Sequence, residues 1–276
     1  MGSCDNPSLS TNTALFSQTG SVAQRLQNAG STGRECTSLW RPLLSRPESV
    51  PLPGPHLIRA VTQRYTLAVP QNWSRTVTSF ELAATGFQSV VGQIKVTQWE
   101  LQGLGLWNIR DLVGHAARSL SLISDYLVSD SRELSTSLIN VVEYFESARR
   151  QMDPQAVEMR GRQAGIALGS NPKASVHTMV GAAIAAVRAC DPNAVIETPL
   201  GAMRLDDYLP SRTFELCAHS LDISRALGIE SVVDLAMPLT DSLHLVADLI
   251  ARSNNAAEIL MCLLGRSALA PGYSAL

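Results

Sequence analysis

The chain is short of charge and of rings: 17% of its residues are Asp, Glu, Lys or Arg, and 5% are aromatic. A formal net charge of −2 gives no electrostatic reason to expect nucleic acid or an anionic membrane as a partner. Cysteine is scarce, with five scattered residues and no CxxC, so neither a disulfide framework nor a thiolate metal knot is indicated. No apolar run reaches membrane-spanning length, and the N-terminus lacks the basic-then-apolar layout of a secretory signal. The expectation is a soluble, cytoplasmic protein.

Apolar residues make up 45% of the 276, mostly Ala, Leu and Val, which suits packed helices with small side chains. Residues 1–75 differ from the rest. They are rich in Ser, Thr, Gly, Asn and Pro, including Pro51-Leu-Pro-Gly-Pro55, and no apolar period persists. A disordered, low-complexity extension is expected there, ahead of a helical domain over 76–276.

Within that domain, Phe80, Leu82, Ala83, Phe87, Val90, Val91, Ile94 and Val96 predict an amphipathic helix over 77–96. Asn108 and Asp111 have the N-cap and N3 spacing of a second helix that continues to about 128 and carries His115. The more polar stretch 131–168 predicts helix broken at Asp153-Pro154, and Asn171-Pro172 opens another long helix. Val195 to Met203 has strand character around a Pro-Leu-Gly turn. Asp206 or Asp207 is expected to cap the next helix, with Pro210 in its first turn and Gly228 at its end. A last helical region follows Pro238. His177 and His244 are expected at the surface.

The chemistry concentrates in Arg212-Thr-Phe-Glu-Leu-Cys-Ala-His-Ser-Leu-Asp222. Glu215 and His219 are four apart, and Asp222 is three further on, so a helix puts all three on one face. A carboxylate and an imidazole so stacked can grip a metal ion, but two ligands make a poor site, and His115 is the candidate third. Taken alone, a histidine on an apolar helix face is more often a core residue than a ligand. Asp222 either holds an imidazole N–H or is a surface carboxylate or partner of Arg225. Arg212 either pairs with Glu215, receives an anionic group, or serves packing. Four long apolar-faced helices suggest a four-helix bundle with its site between facing helices.

Three segments also resemble a known family. Trp107-Asn-Ile-Arg-Asp-Leu-Val-Gly-His115 is similar to the tryptophan-to-histidine motif of the DinB/YfiT-like metalloenzyme superfamily, closest to the metal-binding domain of mycothiol-dependent maleylpyruvate isomerase. Pro199-Leu-Gly201, Asp206-Asp-Tyr-Leu209 and the Glu215, His219, Asp222 series ending at Gly228 follow in the family's order. Leu263-Leu-Gly-Arg266 with Pro271-Gly-Tyr-Ser274 resembles its C-terminal signature. The resemblance implies an all-α, DinB-like four-helix bundle with short additional helices and a small β-hairpin. It implies a divalent metal, usually zinc, on His115, Glu215 and His219, with mycothiol or a similar low-molecular-weight thiol as cosubstrate. The expected activity is a metal-dependent thiol S-transferase acting on an electrophilic small molecule, with Asp222 and Arg212 assisting. A hydrolase or isomerase on the same bundle, or a binding scaffold without turnover, are the alternatives. Exposed apolar helix faces are compatible with a homodimer.

Overall fold

A computed structural model describes residues 73–127, 137, 140–191, 193–229 and 235–275. The extension expected over 1–75 lies, up to residue 72, outside the described residues, as does most of 128–139.

Among the described residues the chain is mostly helical, with one two-stranded antiparallel sheet. The helices are α1 (Trp73–Gln93), α2 (Ile109–Leu127), α3 (Val141–Gln151), α4 (Pro154–Ala167), α5 (Pro172–Ala189), α6 (Leu205–Leu227), α7 (Ala236–Ala251) and α8 (Ala256–Leu263). The hairpin pairs β1 (Val195–Thr198) with β2 (Gly201–Arg204), Thr198 opposite Gly201. None of these helices is long and apolar enough to cross a membrane.

The helix boundaries follow from local chemistry. Asn108 accepts a hydrogen bond from the Asp111 N–H and starts α2, as its spacing predicts. Asn140, Asp153 and Asn171 cap α3, α4 and α5 in the same way, the last two followed by proline at the first helical position. Gly228 ends α6 in the left-handed region, at φ 63°.

Two expectations need correction. The helix expected over 77–96 ends at Gln93; Val96 opens a short 3₁₀ turn and is 90% exposed. The start of α6 also differs. It leaves β2 directly at Leu205, with no side-chain cap from either aspartate, so Pro210 falls in the second turn. There its ring removes a helix hydrogen bond.

The four longest helices, α1, α2, α5 and α6, share one core: Phe80, Phe87 and Val91 meet Leu112, Ala116 and Leu120 of α2, Val176, Val180 and Val187 of α5, and Leu209, Leu216 and Ile223 of α6. α1 packs on α5 and α6, and α2 packs on the same two helices. A second apolar cluster joins α3, the hairpin, the start of α6 and α7 through Phe145, Ile196, Met203, Tyr208 and Leu249.

α4 lies along α2 at unusually close range. A Cβ at Gly114 would meet the Gly165 backbone nitrogen at 2.2 Å, and a Cβ at Gly161 would meet the Trp107 ring at 2.5 Å. Bare backbone on both helices is what permits the approach, and it gives the Trp107 indole a seat.

Candidate metal centre

The Gly161 seat has a direct consequence for His115. Trp107 donates from Nε1 to the Glu158 carbonyl (2.9 Å), and its ring lies 4.4 Å from that of His115, tilted by 32°. The tryptophan is thereby pinned from α4 and packs the imidazole of α2 toward the bundle interior. His115 meets His219 of α6 nearly edge-on there, with ring centroids 5.0 Å apart.

Ligand atoms of His115, Glu215 and His219 all lie within 4.8 Å of one another, so the three can hold a metal ion together. His177 and His244 are exposed and remote from this cluster, as expected. Cys217, on the same helix, is buried in the core rather than directed to the cluster.

Both nitrogens of His219 are engaged. Nε2 lies 3.2 Å from Glu215 Oε2, and Nδ1 lies 3.0 Å from Asp222 Oδ2. Of the two readings of Asp222, the contact with an imidazole is the one formed; among the described residues it makes no ion pair with Arg225. An Nδ1–H donated to Asp222 points Nε2 at Glu215, so Nε2–H donates to Glu215 while the ring is protonated and faces the cluster where a metal would replace that proton.

The charges are strongly coupled. Burial alone would lower the His219 pKa, but the hydrogen bonds its ring donates to Asp222 and Glu215 outweigh it and push it up to about 9. Burial dominates at His115 and, with the His219 charge, brings it down to about 4. Glu215 feels burial as a rise, which the His219 hydrogen bond and the Arg212 charge overcome, leaving it at about 2. Without metal, the cluster is a neutral imidazole, a carboxylate and an imidazolium.

The donor set fits a divalent cation of the zinc type: two imidazoles and one carboxylate, mostly buried. The His115 ring adds an independent sign. Its Nδ1 is buried with no hydrogen-bond partner among the described residues, a cost that a folded protein rarely leaves without purpose.

Arg212 is not at the surface and forms no ion pair with Glu215 among the described residues. It is 6% exposed and lies over the Tyr208 and Tyr144 rings, 4.8 and 5.6 Å from their centroids. Arg118, one turn beyond His115, acts on the His115 imidazole through its charge and was not among the expected site residues. The signal was available, since i and i+3 share a helix face. Comparison with family models, curated proteins and solved structures finds no match to this chain, so the site rests on its own geometry.

Proposed function

We propose that the protein is a metal-dependent thiol S-transferase, using a low-molecular-weight thiol as nucleophile on an electrophilic small molecule. The observation that carries the reading is the convergence of His115, Glu215 and His219 from two helices within 4.8 Å. The similarity of the Trp107–His115 and Glu215–Asp222 segments to the DinB/YfiT-like superfamily supports it, and so does the helical architecture.

In this reading His115, Glu215 and, through Nε2, His219 hold the cation. Three protein donors leave a four-coordinate ion one position for an outside ligand, and the ion supplies a Lewis acid that favours the deprotonated form of a thiol there. Asp222 keeps the proton of His219 on Nδ1, so that Nε2 is free to ligate. Trp107 covers one face of His115, fixing its ring and excluding water from that side. Glu215 remains ionised at every pH at which a thiol would react.

The test begins with metal content of the full chain, wild type beside His115→Ala and His115→Gln, with helical content checked by circular dichroism. About one metal per wild-type chain, lost in both variants, is expected. The loaded protein is then offered an aromatic electrophile such as 1-chloro-2,4-dinitrobenzene with and without mycothiol. Conjugate formed only with thiol and metal together supports transfer. A hydrolysed product independent of thiol would replace this reading with a metal-dependent hydrolase. Absence of metal in wild type after zinc is supplied would leave a binding scaffold.

A further inference from the structure

Helix α8 carries two apolar stripes, and among the described residues one of them is covered. Its 8 residues, Ala-Ala-Glu-Ile-Leu-Met-Cys-Leu, include a single charge, Glu258. One stripe turns inward, where Ile259 is 5% exposed and α8 packs on α7. The other runs through Ala257, Leu260, Met261 and, at the C-cap, Leu264, the i, i+3, i+4, i+7 spacing of a helix face made for packing. All of these are exposed, Leu260 by 57% and Leu264 by 58%. A helix apolar nearly all round belongs in an interior, and so short a helix holds in water only through what it packs against. Ile259 is its one fully buried residue, so the outer stripe calls for cover.

The charges at the ends of the stripe point to what covers it. Between Ser253 and Ala275 the charged side chains are Glu258 and Arg266, both exposed and neither in an ion pair among the described residues. Glu258 stands in the first turn and Arg266 just past the last, about 12 Å apart at the helical rise. Arg266 is fixed there by the helix terminator: its N–H donates to the Met261 carbonyl, and the N–H of Gly265, at φ 70°, donates to that of Cys262. An apolar stripe with opposite charges at its two ends is complementary to itself turned end for end. Antiparallel about a two-fold axis, each Glu258 meets Arg266 of the partner subunit, and every contact forms twice. A parallel pairing would set like charge against like. The stripe also lacks the cluster of cations that an anionic lipid surface would select.

We propose that the Ala257, Leu260, Met261 and Leu264 face of α8 is a homodimer interface, in which two copies of the helix pack antiparallel and Glu258 of each copy pairs with Arg266 of the partner subunit. Leu263, 74% exposed, borders the stripe beside Leu260 and widens the apolar contact. A contact between short helices lies at the small end of specific interfaces, so the dimer should dissociate in the micromolar range. The proposal stands apart from the metal and from the transferase reading, since the triad lies on α2 and α6.

The test is sedimentation equilibrium of the full chain, treated with chelator, from low to high micromolar concentration. Wild type should move from 29.7 kDa toward twice that mass. Val96→Lys, at an exposed apolar residue between α1 and α2, should do the same. Leu260→Lys and Leu264→Lys should each weaken the dimer at least tenfold with an unchanged circular dichroism spectrum, since both side chains are exposed. Glu258→Arg and Arg266→Glu should each weaken it at least fivefold, and the two together should return it to within about threefold of wild type. Charges that served the dipole of their own helix would instead make the double variant the weakest. A wild type monomeric at every concentration would overturn the proposal and assign the stripe to another segment or a different partner. A dimer indifferent to Leu260→Lys, or a double exchange weaker than either single variant, would overturn it as well.

Discussion

Gly114→Ala is expected to loosen the fold next to His115, a residue of the candidate metal cluster. The new Cβ would stand 2.2 Å from the Gly165 nitrogen and 2.5 Å from the Ala164 carbonyl carbon, against an ordinary carbon contact of about 3.5–4.0 Å. Those neighbours are backbone, so no side chain can swing aside, and α2 and α4 must separate by about an ångström or more. Forced overpacking of this kind typically costs about 1–3 kcal/mol, and a backbone clash belongs at the upper end. Alanine's better helix propensity returns about 1 kcal/mol, which leaves a net loss of about 2 kcal/mol. With a urea m-value of about 2 kcal/mol per M, the midpoint should fall by about 1 M. Gly181→Ala supplies the control, because nothing lies within 4 Å of its Cβ and it sits inside α5. It should gain about 0.5–1 kcal/mol. An unchanged or raised midpoint for Gly114→Ala would refute the reasoning that bare backbone sets the approach of α2 and α4.

Three further outcomes are expected. Stability of the metal-free protein should peak near pH 6.5. Above it, His219 gives up its favoured proton as pH rises toward 9; below it, His115 is protonated against its preference as pH falls toward 4. Each flank should approach a slope of about 1.4 kcal/mol per pH unit, read from urea midpoints, and His219→Gln should flatten the alkaline flank and also shorten the acid one, because the His219 charge helps to hold the His115 pKa down. Asp222→Asn should weaken zinc binding about 10–100-fold in competition with a chromophoric chelator, because the His219 Nδ1–H loses its carboxylate; unchanged affinity would make Asp222 a bystander. Asn140→Ala should cost about 1 kcal/mol in thermal or urea unfolding, since its side chain accepts from the N–H groups of both Val142 and Glu143 at the start of α3.

What could be read from the sequence was what depends on neighbours within a few residues. Glu215, His219 and Asp222 declare themselves because helical spacing alone puts them on one face. The caps at Asn108, Asp153 and Asn171 are equally local, and so is the glycine stop at 228. His115 is different. From its own surroundings it is an imidazole among apolar residues; the need for a third ligand made it a candidate and the resemblance strengthened it, but the contact with α6 is a property of two segments meeting. Gly114, Gly161 and Gly165 were silent for the same reason, since a close approach exists only between two surfaces. Pro210 was misplaced by one turn because the hairpin delivers the chain to α6 without a capping loop, so the helix starts earlier than an aspartate cap would put it. Arg118 was overlooked because an arginine on an amphipathic helix ordinarily reaches for solvent.

The division of the ligands between α2 and α6 also bears on the order in which the molecule assembles. Glu215 and His219 can meet as soon as α6 forms, within microseconds. His115 reaches them only after a segment of about a hundred residues has been closed, a long-range event that comes late for entropic reasons. A complete set of donors therefore does not exist in the nascent chain, and the cation cannot act as a template for collapse. Under the metal-binding reading it would act afterwards, as a clasp that slows the docked helices from parting. Zinc added during refolding should leave the folding rate unchanged and lower the unfolding rate, so the protein's lifetime, rather than its speed of folding, would follow the supply of metal.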